Sequence, residues 1–411
     1  MENLVLPTAA LDYTLPEDRI ATAPVSPRDS ARMLVLRRAD PEFIEHRQVR
    51  DLPEYLSPGD VLVVNTSRVI PARIQGVRAD TMGKVEGLYL GPVESDPSRW
   101  RVMLKGRRMR ENARIALYDA DGQPTQLSLI LHPRSESQGE AGAWICSPDG
   151  PADLLALGAI ALLDRVGSTP LPPYILAARK RHADAPTPSE RDDRATYQTV
   201  YARADQPSTG PAGPAGPGSG TNASHGAAGS IAAPTAGLHF TPELLGRLAA
   251  RGVHRVDVTL HVGTGTFKPV ECEFVEQHPM HSEWCTIPPD SARVIARARA
   301  QGRRVVAVGT TSARTLESFP TLQPALDGTP LEHWTKLLIT PGHRWKHLDS
   351  MLTNFHLPRS TLMAMIASLL DSTPGTADIP SRGVARLQAA YAAALSSNYR
   401  FYSFGDAMLV L

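Results

Sequence analysis

Hydrophobic and polar positions change rhythm twice along the chain. Residues 1–60 are turn-rich and become strand-like at Met33–Leu36. From Asp60 to about Cys146 the apolar residues come in short runs: "VLVVN", "VIPARIQGV", "KVEGLYLG", "WRVMLKG", "RIALYD", "QLSLILH" and "AWICS". Gly, Asp and Pro break them. Strand-length runs separated by turn residues, with few helix-length periods between, predict an all-β barrel or sandwich over 61–150.

After Pro151 the period shifts. "PADLLALGAIALLDRVG" predicts a helix closed by Gly167. "TPELLGRLAARGV" predicts another, with Thr241 as N-cap, Pro242 in the first turn, Leu244, Leu245 and Leu248 on one face, and Gly252 past the end. In "VHRVDVTLHVG", Val256, Val258, Leu260 and Val262 alternate with Asp257, Thr259 and His261, the pattern of a half-buried strand. "DSARVIARARAQGRRVVAVGTTSARTLESF" predicts a helix, a stop at Gly302, a strand, a turn at Gly309–Ser312 and a second helix, a βα order that implies a largely parallel sheet. "WTKLLITPG" predicts a strand, "PRSTLMAMIASLLD" and "VARLQAAYAAALSS" helices, and "DAMLVL" a closing strand. The expected fold class is α/β: a discontinuous α/β domain, 1–60 and 151–411, interrupted by an inserted all-β barrel domain, 61–150.

Between Asp205 and Glu243 there is no charged residue. The centre, "QPSTGPAGPAGPGSGTNASHGAAG", cannot bury enough apolar surface to offset its ordering entropy, and it lacks a strict three-residue glycine period. Residues 205–229 therefore read as a flexible Gly/Pro/Ala-rich loop without a function of its own. It runs straight into "SIAAPTAGLHFTPELL".

Composition narrows the class. Among 411 residues, 42% hydrophobic and 21% charged content is that of an ordinary soluble protein, and the formal net charge of +1 means that any nucleic-acid binding rests on a local patch. Cys146, Cys272 and Cys285 are too few and too widely spaced for a disulfide framework or a metal site. With no signal-like N-terminus and no apolar run of membrane length, a cytoplasmic protein without a membrane partner is expected.

Six segments could carry chemistry. Thr235 and Gly237 lie in a small-residue turn, followed by His239 and Phe240 just ahead of a helix N-terminus. His261 ends a strand before the turn Gly263, Thr264, Gly265 and Thr266; Lys268 and Pro269 follow where a dinucleotide fingerprint would need a third glycine and a helix. "EQHPMHSEW" holds His278, His281 and Glu283, which could be read as metal ligands; Pro279 denies them a helical frame, and His281 with Glu283 suits acid/base work better. Gly309, Thr310, Thr311 and Ser312 turn into a helix with Arg314 close behind. Asn354, Phe355 and His356 sit before Pro358 with no periodic reason, and Arg400 and Asp406 stand among four aromatics in "NYRFYSFGDAMLVL". The sharpest basic run, "LKGRRMRENAR", contains Lys105, Arg107, Arg108 and Arg110 and suits phosphate.

Taken in order, "DYTLPEDRIA", "SPRDSARMLVL", "VLVVNTSRVIPARIQG", "PLPPYI", "YQTVYA", "SIAAPTAGLHFT", "VTLHVGTGTFKPV", "MHSEW", "VGTTSARTLES", "LLTNFHLPRSTL" and "YRFYSFGDAML" cover nearly the whole chain. In them the chain resembles the S-adenosylmethionine:tRNA ribosyltransferase-isomerases of the queuosine pathway. That resemblance implies an α/β domain with an inserted β-barrel. It also implies transfer and isomerisation of the ribosyl moiety of S-adenosylmethionine onto 7-aminomethyl-7-deazaguanine at the wobble position of tRNA, giving epoxyqueuosine, adenine and methionine. The expected partner is a tRNA with a GUN anticodon carrying the precursor base; no metal is expected, and a monomer is. On this resemblance His239, His261, His281 and Glu283 would transfer protons. Thr235, Gly237, Phe240, Gly263–Thr266, Gly309–Ser312, Arg314, Asn354, Arg400 and Asp406 would hold S-adenosylmethionine. Arg68, Lys105, Arg107, Arg108 and Arg110 would bind the tRNA. Four positions depart from the family's pattern: Gly87, Thr196, Thr264 and Ala313. The rivals are a metal hydrolase using His278, His281 and Glu283, and a non-catalytic tRNA-binding β-barrel protein.

Overall fold

A strand buried along its whole length has to be covered on both faces, and four such strands set the centre of the molecule. In the computed structural model, which describes residues 5–93, 95–133, 143–181, 187–203, 229–263, 270–371 and 380–411, Val61–Asn65, Val305–Val308, Ser350–Asn354 and Ala407–Val410 are buried at every position. They lie in a nine-stranded mixed sheet whose spatial order is Leu331–Thr335, Glu283–Ile287, His254–Leu260, Val61–Asn65, Val305–Val308, Ser350–Asn354, Ala407–Val410, Arg32–Arg37 and Asp40–Gln48. The four neighbours from His254–Leu260 to Ser350–Asn354 run parallel to one another.

Helices cover both faces. Leu62, Val64, Val306, Val308 and Leu352 pack with Leu244 and Leu248 of the helix Pro242–Ala250. On the other face Val61, Val63 and Val305 meet Ile295 and Ala298 of Pro289–Ala300, while Ala307 and Met351 meet Ile366 and Leu369 of Thr361–Asp371. The cap of Pro242–Ala250 forms as the residues require: the Thr241 hydroxyl accepts the Leu244 N–H at 3.1 Å, and Gly252 takes the left-handed conformation beyond the end (φ +81).

The second sheet is antiparallel: Gly167–Ser168, Arg73–Arg78, Lys84–Val93, Asp96–Lys105, Ala143–Asp149, Pro124–Leu131 and Arg114–Tyr118, the last also pairing with Arg73–Arg78. Tyr89 and Trp100 meet edge to face at 5.1 Å in its core, which Leu162, Leu163 and Val166 of the helix Ala159–Val166 complete.

Several expectations are corrected. Val61–Asn65, expected to open the inserted domain, is a central strand of the large sheet, and the second sheet begins only at Arg73 and reaches Ser168. An unbroken apolar run is the pattern of a strand buried on two faces, and "VLVVN" has no alternation. The single helix expected before Gly167 is two, Ala152–Leu155 and Ala159–Val166, parted by Gly158 at φ +82. The strand expected at "WTKLLITPG" lies upstream, at Leu331–Thr335. Of the loop expected at 205–229, residues 205–228 lie outside the described residues.

Gly87 has a local explanation. A Cβ there would sit 2.7 Å from Leu104 Cδ2 and 2.8 Å from Ile74 Cγ1, so the side chains across the sheet already fill the space. Gly87→Val is expected to destabilise the protein by about 1–3 kcal/mol in urea unfolding. Combined with Leu104→Val it should cost less than the sum of the two separate changes; strict additivity would reject this explanation. Thr241→Ala, which removes only the cap, should cost about 1 kcal/mol in the same measurement.

Candidate functional site

Because the four neighbouring strands are parallel, their C-terminal ends lie on one edge of the sheet, where open α/β sheets form ligand crevices. Asn65 holds that edge: its Nδ2 donates to the Leu260 carbonyl at 3.0 Å, and its Oδ1 accepts the Leu260 and Ser67 N–H groups at 3.1 and 3.0 Å. A cleft of about 680 Å³, counted to its open mouth, lies among Thr235, Val262, Gly309, Thr310, Thr311, Asn354, Tyr174 and Tyr402. A smaller chamber of about 340 Å³, likewise counted to its open mouth, is lined by His278, Met280, His281, Glu283, Arg314 and Thr361. Leu362 lines both.

The wall of the main cleft is tied together across long sequence distances. The Thr235 hydroxyl donates to Asn354 Oδ1 at 2.9 Å, and Asn354 Nδ2 donates to the Tyr402 carbonyl at 3.1 Å. Tyr402 is held in the left-handed region (φ +72), a conformation that costs a bulky residue energy and that its surroundings must enforce. Its ring lies 4.7 Å from that of Tyr174, whose hydroxyl is 2.6 Å from the Ser403 hydroxyl. His356, also on the wall, pairs with the Thr353 hydroxyl at 2.9 Å, and burial pushes its imidazole down to about 3, so it is neutral at pH 7.

The expected site residues fall into three groups. Thr235, Gly309, Thr310, Thr311 and Asn354 line the main cleft, and His281, Glu283 and Arg314 the side chamber. His261 and Gly263 flank Val262, which lines the main cleft. The His261 ring stacks on Trp284 at 5.2 Å and 16°, the His261 backbone N–H donates to the Trp284 carbonyl at 3.0 Å, and burial lowers the imidazole pKa to about 4. Gly263 N–H donates to Glu283 Oε1 at 2.9 Å, and the other Glu283 oxygen accepts Arg314 Nη1. Thr264, Gly265 and Thr266 lie outside the described residues.

The third group turns away from the cleft. His239 is enclosed, with Nδ1 3.0 Å from the Ala236 carbonyl and Nε2 3.0 Å from the Gly405 carbonyl; burial lowers its pKa, and it joins two loops. Phe240 is fully buried beneath the sheet. Gly237 is small because a Cβ would lie 2.1 Å from the Tyr201 hydroxyl, so its open side serves packing. Ser312 donates back to the Val308 carbonyl at 2.8 Å within its helix. Asp406 accepts the Arg32 and Arg400 N–H groups at 3.0 and 2.8 Å, and the Arg400 guanidinium donates to the Ala23 and Phe404 carbonyls, both at 3.1 Å. These two clamp the C-terminal loop that carries Tyr402. Tyr174, Tyr402 and Ser403 were not expected as cleft residues, whereas His356 stood in a segment singled out for chemistry without a role. The sequence signal for the first three was their place in "PLPPYI" and "RFYSFG".

The ligand set His278, His281 and Glu283 fits a metal poorly, because Glu283 is already paired with the Arg314 guanidinium, whose positive charge would repel a bare cation beside it. Among the described residues no three His, Cys, Asp or Glu side chains gather as a metal would need, and no helix is long and apolar enough to cross a membrane.

The basic run is a built loop. The buried Arg78 guanidinium donates to the Arg107 and Arg108 carbonyls at 3.3 and 2.8 Å and to both Asp80 oxygens, and Arg110 reaches the same Asp80 at 2.6 Å. These guanidinium contacts hold the Asp80 carboxyl well below its usual range. Lys105, Arg107 and Arg108 are exposed and carry no ion pair among the described residues. Arg68 is exposed elsewhere, beside a small cavity with Arg194 and Tyr197.

Known proteins agree along the whole chain. The family described as "Queuosine biosynthesis protein" matches residues 8–216 and 221–410. The S-adenosylmethionine:tRNA ribosyltransferase-isomerase of Desulfitobacterium hafniense is 41% identical over 97% of this chain and 98% of its own length. That of Gloeobacter violaceus is 43% identical over 98% and 96%. A solved structure, the S-adenosylmethionine tRNA ribosyltransferase of Thermotoga maritima, aligns with 98% of this chain and 100% of its own at 28% identity and a TM-score of 0.47. On the family match and the near full-length relatives, this chain belongs to the queuosine biosynthesis protein family.

Proposed function

We propose that the chain is an S-adenosylmethionine:tRNA ribosyltransferase-isomerase, a transferase of tRNA modification. It moves and isomerises the ribosyl moiety of S-adenosylmethionine onto 7-aminomethyl-7-deazaguanine at the tRNA wobble position, yielding epoxyqueuosine, adenine and methionine. The observation that carries this reading is the near full-length identity of 41% to relatives bearing that name. S-adenosylmethionine is the ribosyl donor and is consumed.

The reaction asks for a base to take a proton from the carbon beside the sulfonium, where the positive sulfur stabilises the developing carbanion. It then asks for help to the departing adenine and for exclusion of water. His281, half-buried in the side chamber, is the base of this proposal. His261, held neutral by burial against Trp284, serves as a hydrogen-bonding wall between the chambers. Thr310 and Thr311 face the ribose, and Tyr174 and Tyr402 offer adenine an aromatic surface. His239, Arg400 and Asp406 act as positioning residues. The second sheet, whose Arg114–Tyr118 edge returns to Arg73–Arg78, is read as a closed barrel that presents the Lys105–Arg110 loop to the tRNA backbone. The GUN-anticodon partner and a monomeric, cytoplasmic enzyme belong to the same proposal.

Incubation with S-adenosylmethionine and tRNA bearing the precursor base should release adenine and methionine; no release would reject the function. His281→Ala should lower kcat by about 100-fold or more with folding intact, and unchanged turnover would remove it from the mechanism. His261 titrates below its ordinary value, so protonating it should cut kcat/KM only near pH 4. Trp284→Ala unburies the ring and should move that acidic limb toward pH 6.5, whereas an unmoved limb would show that His261 does not govern it. Replacing Lys105, Arg107 and Arg108 by Ala should weaken tRNA binding and flatten its salt dependence by roughly one logarithmic unit per lost phosphate contact, leaving S-adenosylmethionine binding unchanged.

A further inference from the structure

The side chamber holds a guanidinium that the protein leaves half-used. Arg314 is 6% exposed, projecting from the helix Gly309–Glu317, and only Nη1 has a partner among the described residues, Glu283. Its Nε and Nη2 are buried without one. A buried donor left unmade loses its hydration with nothing in return, and more so on a charged group, so an acceptor is called for. The other carboxylate on the same helix cannot supply it: Glu317 is engaged by the Lys346 and His347 N–H groups at 3.0 and 2.8 Å and by His343 at 3.3 Å. Glu283 in turn is fixed by the Gly263 N–H, so the Arg314–Glu283 pair is pinned with one fork still open.

The two charges lie side by side in a chamber that shares Leu362 with the wall of the main cleft. An α-amino-acid headgroup has the complementary pattern, a carboxylate and an ammonium attached to one carbon. A phosphate dianion would meet Glu283 and be repelled. We infer that Arg314 and Glu283 form the subsite for the amino-acid headgroup of S-adenosylmethionine, with the carboxylate on the open edge of Arg314 and the ammonium toward Glu283. This inference rests on the function proposed above. It places the nucleoside in the main cleft and the methionine arm in the side chamber, so that the sulfonium sits at the Leu362 junction, within reach of His281.

The test compares two sulfonium nucleosides that differ only in the carboxylate: S-adenosylmethionine and its decarboxylated analogue, S-adenosyl-3-methylthiopropylamine. Calorimetric titration of the wild-type protein should show the analogue binding about 10- to 100-fold more weakly. In the charge-neutral pair Arg314→Gln with Glu283→Gln, which keeps a side-chain hydrogen bond in the chamber, that difference should fall below about 3-fold. Arg314→Lys, which retains the ion pair but loses the fork, should shrink it to an intermediate value and reads the same ratio if the double variant does not fold. A wild-type ratio near one, or a wild-type-sized ratio that survives the substitutions, would overturn the subsite while leaving the function standing. Failure of the wild-type protein to bind S-adenosylmethionine at all would overturn the function and the subsite together.

Discussion

Four neighbouring parallel strands, His254–Leu260 through Ser350–Asn354, three of them buried at every position, constrain everything else in this molecule. Parallel strands cannot be joined by tight hairpins, so the chain leaves the sheet through helices, and the helices cover its two faces. The strand ends then collect on one edge, where the exits of the strands carry His261, Gly309 and Asn354 to the same place. The cleft follows from the sheet.

That edge is polar, and its polar groups are held by partners far away in sequence. Asn354 joins Thr235 to Tyr402, and Glu283 joins Gly263 to Arg314. In a buried site each such bond matters more than its net worth in water, because losing one partner strands the other without solvent. The same economy explains the enclosed residues. His239, Arg400 and Asp406 spend their polar atoms on the loops that carry the cleft wall. They bear on the site by fixing the shape of the segment around Tyr402, a tyrosine kept in a left-handed conformation.

The second sheet is organised by alternation. Its basic loop shows how a charged run can be both structure and surface. The buried Arg78 gathers the loop's carbonyls and Asp80 anchors Arg110, while Lys105, Arg107 and Arg108 stay in solvent. A charge run read from sequence alone does not separate these roles, since they depend on which guanidinium is covered.

The sequence by itself determined the α/β class, the alternation of His254–Leu260, the Thr241 cap, the helices after it and the segments that meet at the cleft, because local period, caps and turn residues act over a few positions. It also carried the family, since its motifs persist in order from end to end. Only the tertiary structure decided that "VLVVN" belongs to the large sheet, because an apolar run without alternation marks a strand covered on both faces but does not name the sheet it joins until its neighbours are known. Tertiary structure alone also separated Thr310 and Thr311, which face the cleft, from Ser312, which bonds back into its own helix. It brought Glu283 to Arg314 and Asn354 to Tyr402 as well. Contacts between residues dozens of positions apart are set by chain closure and packing, and neither leaves a local mark in the residues that make them.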